Sequence, residues 1–201
     1  MKPQEDYNPI EHFQKWFLDI DMRHPEEESN VMALSTIGLD GYPKTRIVLL
    51  KRFTWEGFIF FTNYKSEKGR AIDKNNRVSL LFNWESSNRK ISITGTAEKI
   101  AKNLSEGYFE SRPEGSKLST LVSKQSEVVV SRKTLEERLI HYEKTFKGKT
   151  IPKPAYWGGY LVKPQELIFT KPYVLSGYNQ VTTYRLQSNY DWSKKVKYKP
   201  I

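Results

Sequence analysis

The chain has 201 residues, no cysteine, three histidines without local spacing and a formal net charge of +10 at pH 7. This length predicts one domain, and the lack of cysteine excludes disulfides, thiolate metal sites and a cysteine nucleophile. The scattered histidines make a metal site improbable. No run approaches the roughly 20 apolar residues that cross a bilayer, and the start lacks the apolar segment of a signal peptide. We therefore expect a soluble, cytoplasmic protein without a membrane partner.

The positive charge raises the question of nucleic-acid binding, because clustered Lys and Arg neutralise phosphates. Here the excess is spread along the chain, and the densest stretch, 194–199, lies near the C-terminus, where we expect a solvated tail. We therefore expect no nucleic-acid partner and keep an interaction module only as a third hypothesis. A smaller anionic ligand, such as a phosphorylated cofactor, uses positive charge equally well.

The first predicted element is a helix over 9–22, with apolar residues at helical spacing behind an Asn8 cap. From 31 to 100, short runs rich in β-branched and aromatic residues alternate with turn signals, which predicts antiparallel strands. A short helix with a Ser66 cap interrupts them at 66–76. The predicted strands are 31–37, 45–53, 58–63, 78–84 and 90–100.

The second half of the chain is predicted to be helical at first and then to return to strands. The predicted helices are 104–111, 117–122 and 132–147, the last between a Ser131 cap and Gly148. The predicted strands are 156–162, 166–171 and 181–186. So many short strands close together predict a mainly β fold with helices, an antiparallel β-barrel.

The first pattern that could carry chemistry is 46–51, an apolar strand with a cation at each end. The two cations would serve different neighbours, because side chains alternate between the faces of a strand. Charges that solvate the ends of a core strand are the competing interpretation. Alternation places Arg46, Val48 and Leu50 on one face and Ile47, Leu49 and Lys51 on the other.

The second pattern, 61–69, is a strand that runs into the helix capped by Ser66. Backbone N–H groups at the helix start, together with Lys68, could receive a phosphate, although an ordinary strand-to-helix turn explains the segment equally well. In the fourth pattern, 154–160, two glycines lie between aromatic residues and allow close approach to the backbone. A bulge packed by aromatic rings is favoured there, and a dimer contact or a ring-stacking wall is the alternative.

The third pattern consists of Tyr108, Arg112 and Ser116, spaced four apart around a helix end. These side chains are the donor set expected for a phosphate monoester, to which arginine gives a bidentate contact. The spacing alone is weak evidence, because exposed Tyr and Arg on a helix are commonplace.

Taken in order, these segments resemble the pyridoxine/pyridoxamine 5′-phosphate oxidase family. The resemblance implies a homodimer of FMN-binding split β-barrels, with flavin at the subunit interface. It also implies oxidation of pyridoxamine or pyridoxine 5′-phosphate to pyridoxal 5′-phosphate, with oxygen as acceptor. One such domain would span 1–201, with an N-terminal helical segment, 1–25, and a divergent C-terminal segment, 170–201. The motifs are RIVLLK at 46–51, FFTN at 60–63, VSLLFNW at 78–84, YFESRP at 108–113, VSKQS at 122–126 and WGGY at 157–160.

The resemblance also implies which residues form the sites. In this class the flavin itself accepts the hydride equivalent from the substrate, so no catalytic side chain is assigned. Lys90 stands where the family has a flavin-contacting Gln, and Gln125 and Ser126 would reach the flavin across the dimer. The other implied flavin ligands are Arg46, Ile47, Val48, Leu49, Leu50, Phe61, Thr62 and Lys68. The implied ligands of the substrate phosphate are Lys51, Tyr108, Arg112 and Ser116.

Besides Lys90, the chain departs from the family pattern at its N-terminus, where the family's Arg and Tyr substrate contacts have no clear match, and in two further places. Glu67 stands where the family has Arg beside the flavin-binding lysine. After Phe169 the family continues with Trp-Gln-Gly and then Arg-Leu-His-Asp-Arg, whose first Arg and His contact the substrate, and this chain lacks them. Tyr178 or Arg185 could stand in by position, but neither is assigned. The altered C-terminus supports a second hypothesis, in which the chain is an FMN-binding relative with a different redox role or a noncatalytic binding role.

Overall fold

The computed structural model describes residues 8–123, 128–129, 131–173 and 177–200. No helix in these ranges is long and apolar enough to cross a membrane. The helices are α1 (Pro9–Arg23), α2 (Glu67–Lys74), α3 (Lys102–Ser111), α4 (Glu114–Val122) and α5 (Arg132–Phe146). The strands are β1 (Val31–Ile37), β2 (Pro43–Leu49), β3 (Arg52–Thr54), β4 (Gly57–Asn63), β5 (Arg77–Trp84), β6 (Arg89–Lys99), β7 (Trp157–Pro172), β8 (Tyr178–Leu186) and β9 (Trp192–Pro200).

All nine strands belong to one antiparallel sheet, in the order β2-β1-β5-β6-β7-β4-β3, with β8 between β7 and β9. β2 and β3 are consecutive in the chain but lie at opposite ends of this order, so the sheet curls into a half-barrel. The backbone N–H of Lys51 donates to the carbonyl of Ile59 at 2.9 Å, at the point where the chain crosses between these ends. The predicted antiparallel barrel with helices is confirmed.

The first helix packs against the inner face of this curled sheet. Asn8 caps it as predicted, since its side chain accepts a hydrogen bond of 2.9 Å from the N–H of Ile10. Phe13 is fully buried and meets the rings of Phe58 and Phe82 edge-on, with centroids 4.8 and 5.1 Å apart. The apolar stripe of α1 is therefore part of the core of the barrel.

Three differences from the sequence predictions go beyond shifts of a few residues at the ends of elements. The predicted strand 45–53 is divided into β2 and β3 at Leu50, and the strands predicted at 156–162 and 166–171 form the continuous strand β7. The predicted solvated tail at 194–199 is wrong, because these residues form most of β9 and pair with β8. Lysines are common on edge strands because they discourage pairing with other chains, and they mask the strand signal here.

Candidate functional site

Arg46 and Lys68 form a pair of cations where β2 meets the start of α2. The Arg46 guanidinium donates hydrogen bonds to the hydroxyl of Thr36 at 2.7 Å and to the carbonyl of Lys44 at 2.8 Å, which hold it in place. Lys68 lies in the first turn of α2, behind the Ser66 cap, and is 7% exposed. Burial lowers the pKa of Lys68, the charge of Arg46 lowers this pKa further, and the Glu67 carboxylate offsets only part of the shift.

The Lys68 ammonium has no hydrogen bond or ion pair with any other residue that the structure describes. A buried charge without a partner is costly, and the cost falls when an anion binds beside it. A phosphate at this helix start would also meet the backbone N–H groups of the first turn. The donor set therefore fits the phosphate group of FMN.

An aromatic stack forms the wall of a cavity beside β4 and α3. The ring of Phe61 lies 4.0 Å from that of Tyr108 and 5.1 Å from that of Trp157, with interplanar angles of 20° and 14°. Phe61 and Tyr108 line a cavity of about 340 Å³ together with Lys51 and apolar residues of α3 and β4. Two of the predicted substrate ligands, Lys51 and Tyr108, are thus brought to one cavity.

Arg112 lies at the end of α3 and is held from two sides. Its guanidinium stacks 4.8 Å from the ring of Trp157 and donates a hydrogen bond of 2.8 Å to the hydroxyl of Thr120. That hydroxyl donates in turn to the carbonyl of Ser116 at 2.9 Å. Burial lowers the pKa of Arg112 and raises that of Tyr108. Arg112 and Ser116 are therefore joined through a residue that sequence reasoning missed.

Thr120 also lines a second cavity, of about 230 Å³, with Phe61, Thr62 and Trp157. Phe61 is common to both cavities, so predicted flavin and substrate ligands meet at this ring. Thr120 follows Ser116 by four residues on one helix, so the two side chains lie on the same helix face. This spacing is the sequence signal that could have identified Thr120 as a site residue.

The two glycines of the fourth pattern are explained by close packing rather than by a bulge. The pairing of Trp157–Val162 with β4 is regular, and the register shift lies between Thr94 and Gly95 instead. A Cβ atom at Gly158 would overlap the hydroxyl of Tyr64, whose ring occupies that space. The predicted bulge is wrong, whereas Trp157 does form a ring-stacking wall.

The remaining predicted site residues are distributed over several surfaces. Val48 packs against the core and Leu50 is buried in it. Ile47, Leu49 and Lys90 project from the opposite, outer face of the sheet, as the alternation of side chains requires. Gln125 and Ser126 lie outside the described residues.

The two residues considered as substitutes in the C-terminal segment are both on β8. Arg185 forms an ion pair with Glu166 on the neighbouring strand β7. Tyr178 lies at the start of β8 and is 46% exposed. Only the Nε atom of Arg185 is engaged in the pair with Glu166, and its side chain is 69% exposed.

The chain matches the family model described as pyridoxamine 5′-phosphate oxidase over residues 18–144. It is 51% identical over 185 residues to a pyridoxine/pyridoxamine 5′-phosphate oxidase of Flavobacterium psychrophilum, a match that covers 92% of this chain and 86% of that protein. The corresponding protein of Rubrobacter xylanophilus is 43% identical over 164 residues, with 82% and 75% covered.

Two solved structures share the fold at low sequence identity. PhzG from Burkholderia lata 383, in complex with tetrahydrophenazine-1-carboxylic acid, has a TM-score of 0.89 at 23% identity, covering 98% of this chain and 96% of that one. A pyridoxamine 5′-phosphate oxidase-related, FMN-binding protein from Nostoc punctiforme has a TM-score of 0.73 at 11% identity, with 98% and 99% covered. The fold is therefore that of the FMN-binding split barrels.

Proposed function

Because this chain belongs to the pyridoxamine 5′-phosphate oxidase family, we propose that it binds FMN and oxidises pyridoxamine or pyridoxine 5′-phosphate, or a closely related amine or alcohol, with oxygen as acceptor. The observation that carries the proposal is the buried Lys68 beside Arg46, which calls for an anion at the place where the family resemblance puts the FMN phosphate. The protein would act in the cytoplasm.

In this proposal Arg46 and Lys68 hold the phosphate of FMN, and Thr62 and Phe61 contact the cofactor nearby. FMN, when bound, supplies the acceptor for a hydride equivalent from the amine- or alcohol-bearing carbon of the substrate. The protein's own contribution is positioning, since it must hold that carbon against the flavin ring. No acid or base side chain is needed for this role.

The phosphate of the substrate is assigned to Lys51, Tyr108, Arg112 and Ser116. The guanidinium of Arg112 is already oriented by Thr120 and by the ring of Trp157, so little side-chain entropy is lost when it binds a phosphate. Tyr108 is likewise fixed by its stack on Phe61. A prearranged anchor of this kind supports a phosphorylated substrate.

We also propose a homodimer that completes the flavin site. Ile47 on β2 and Leu81 on β5 are 66% and 40% exposed. Both pair with Ala33 on β1, which lies between them, so the three residues form one row across the outer face of the sheet. A second copy that covers these side chains would remove apolar surface from water. Gln125 and Ser126 are then proposed to reach the flavin across the dimer.

The second candidate function is FMN binding with a different redox role or no turnover. It is favoured by the C-terminal segment, where the substrate Arg and His of the family are absent and Arg185 is bound to Glu166. The substrate phosphate anchor would then remain, but the far end of the substrate would lack its usual orienting groups.

One experiment separates the two candidates. The purified protein is loaded with FMN, pyridoxamine 5′-phosphate is added in air, and flavin absorbance and pyridoxal 5′-phosphate are followed together. Bleaching of the flavin with product formation supports the oxidase. FMN binding without bleaching would support the second candidate, and failure to bind FMN would contradict both.

A further inference from the structure

Lys44 is a third cation beside the proposed phosphate site. It precedes Arg46 by two residues on β2, so the two side chains project from the same face of the strand, roughly 7 Å apart. The Arg46 guanidinium donates to the carbonyl of Lys44, and the Lys44 ammonium donates at 2.8 Å to Glu67, the first residue of α2. Lys68 is the next residue of that helix. Cations from β2 and α2 therefore approach one another at the start of α2.

The Glu67 carboxylate interacts with all three cations. One of its oxygens accepts the hydrogen bond from Lys44, and the other lies 4.0 Å from the Arg46 guanidinium. Its charge also opposes the lowering of the Lys68 pKa. The carboxylate thus serves these cations as an internal anion, and its contacts show that their charged groups can converge on a single acceptor.

The Lys44 ammonium is oriented and still has a donor to offer. An ammonium has three N–H donors, and the described residues that accept from this one are Glu67, at 2.8 Å, and Asp40, at 3.0 Å. The Lys44 side chain is 37% exposed, so a ligand can reach it from solvent. One donor therefore remains for a ligand, while the two carboxylates fix the ammonium in position.

Lys44 also decides the net charge of this cluster. The two acidic residues, Asp40 and Glu67, carry as much negative charge as Arg46 and Lys68 carry positive charge when all four are ionised. Lys44 therefore supplies the excess positive charge, which attracts a phosphate. Its hydrogen bonds to Glu67 and then to Asp40 raise the pKa of Lys44, so the ammonium is charged at neutral pH.

We propose that Lys44 is a third ligand of the FMN phosphate, oriented for this role by Glu67 and Asp40. The inference deepens the proposed function and rests on it, since Arg46 and Lys68 are there assigned to the same phosphate. A phosphate monoester carries a charge of about −1.5 to −2 at pH 7 and presents three acceptor oxygens, so it can accept from three cations at once. Each of these contacts is charge-assisted and therefore stronger than a hydrogen bond between neutral groups.

The competing role for Lys44 is to neutralise Glu67 alone. In that case the loss of Lys44 would weaken FMN binding only because it leaves the carboxylate uncompensated beside the phosphate. The two roles differ once Glu67 has lost its charge. In the Glu67→Gln protein Lys44 has no charge to neutralise at this position, so a large effect of Lys44 on FMN binding there comes from its contact with the phosphate.

The test compares the binding of FMN with that of riboflavin, which has the same ring system and no phosphate. Fluorescence titrations of the full chain are made with the wild type, Glu67→Gln and Glu67→Gln/Lys44→Met. We expect the added Lys44→Met substitution to raise the Kd for FMN about tenfold, because a charge-assisted contact is lost. The Kd for riboflavin should not change. Lys74→Met in the same Glu67→Gln protein is the matched control, since it removes a charge from the other end of α2, and it should leave both Kd values unchanged.

Three results would overturn the inference. The first is an unchanged Kd for FMN when Lys44→Met is added to Glu67→Gln, since Lys44 would then act only on Glu67. The second is an equal loss of riboflavin binding, because the substitution would then have damaged the site as a whole. The third is an equal loss of FMN binding in the Lys74→Met control, which would mean that only the overall charge matters. All three leave the proposed function intact while the wild type binds FMN, whereas a wild type that binds no FMN would contradict the proposed function itself.

Discussion

The Lys44 ammonium donates a hydrogen bond of 2.8 Å to the Glu67 carboxylate and thereby holds this carboxylate beside the proposed phosphate site. Glu67 also lies 4.0 Å from the Arg46 guanidinium. Lys44 lowers the pKa of Glu67, so the carboxylate is charged at neutral pH. A negative charge thus stands beside the cations that are proposed to bind the FMN phosphate.

Removing that charge should strengthen cofactor binding. Glu67→Gln is expected to lower the Kd for FMN about two- to fivefold, since repulsion of the phosphate is relieved in a solvent-screened setting. Fluorescence titration of FMN measures the change. Glu98→Gln, which removes a carboxylate paired with Lys163, is the control and should leave the Kd unchanged. Weaker FMN binding by Glu67→Gln would show that Glu67 serves chiefly to orient Arg46.

Lys68→Met should weaken FMN binding by roughly 10- to 100-fold, because a charge-assisted contact to phosphate is lost. The same substitution should not destabilise the flavin-free protein, since it removes a buried cation without a partner. Titration of FMN and chemical denaturation of the flavin-free protein measure the two effects. Unchanged FMN affinity would contradict the assignment of Lys68 to the phosphate.

The difference in the free energy of unfolding between the flavin-free wild type and flavin-free Lys68→Met should depend on pH. The folded-state pKa of Lys68 is lowered below the ordinary value of 10.5, so between the two values the unfolded chain binds more protons than the folded chain. The free energy of unfolding of the wild type therefore rises with pH through this window, relative to Lys68→Met. The penalty for the buried charge is fully present below the lowered pKa. Denaturation curves of both flavin-free proteins from pH 7 to pH 10 test the sign.

Arg112→Ala should raise the Kd for pyridoxal 5′-phosphate by about tenfold or more, because a bidentate phosphate contact is lost. The Kd for FMN should change far less. Binding of unphosphorylated pyridoxal should change little. Arg132→Ala, on the exposed side of α5, serves as the control. Equal losses for FMN and for pyridoxal 5′-phosphate would refute the assignment of Arg112 to the substrate.

Gly158→Ala should destabilise the protein by about 1–3 kcal/mol, because the added Cβ overlaps the Tyr64 side chain. The cost should be smaller when Tyr64→Leu is present, since the shorter side chain leaves room. Denaturation of the two single variants and the double variant gives the interaction energy. Simple additivity would mean that Tyr64 is not the obstacle.

The double substitution Ile47→Asp/Leu81→Asp should shift the protein from dimer to monomer, because two charges are placed on the apolar row of the outer face. Leu104→Asp, at a position that is 51% exposed on α3, is the control and should leave the assembly unchanged. Sedimentation velocity reads out the mass. A wild-type protein that is monomeric at all concentrations would contradict the proposed dimer.

Local patterns in the sequence were sufficient for most elements and for the family. Capping residues such as Asn8 and Ser66, and the period of the apolar residues, depend only on neighbours along the chain. The alternation of side chains along β2, which places Arg46 and Ile47 on opposite faces of the sheet, also depends only on neighbours along the chain. The donor chemistry of Tyr108 and Arg112 follows from their residue types, whereas their assignment to a substrate phosphate came from the family resemblance.

Only the tertiary structure decided which distant residues meet. Lys51, Phe61 and Tyr108 line one cavity because the ring of Tyr108 on α3 stacks on Phe61 of β4. Thr120 joins Arg112 to Ser116 because its hydroxyl forms hydrogen bonds with both the Arg112 guanidinium and the Ser116 carbonyl. β9 was missed because its lysines resemble a solvated tail until the register with β8 places them beside Val181 and Thr183. Strand pairing is a long-range interaction, and its register is set by the whole sheet rather than by the segment itself.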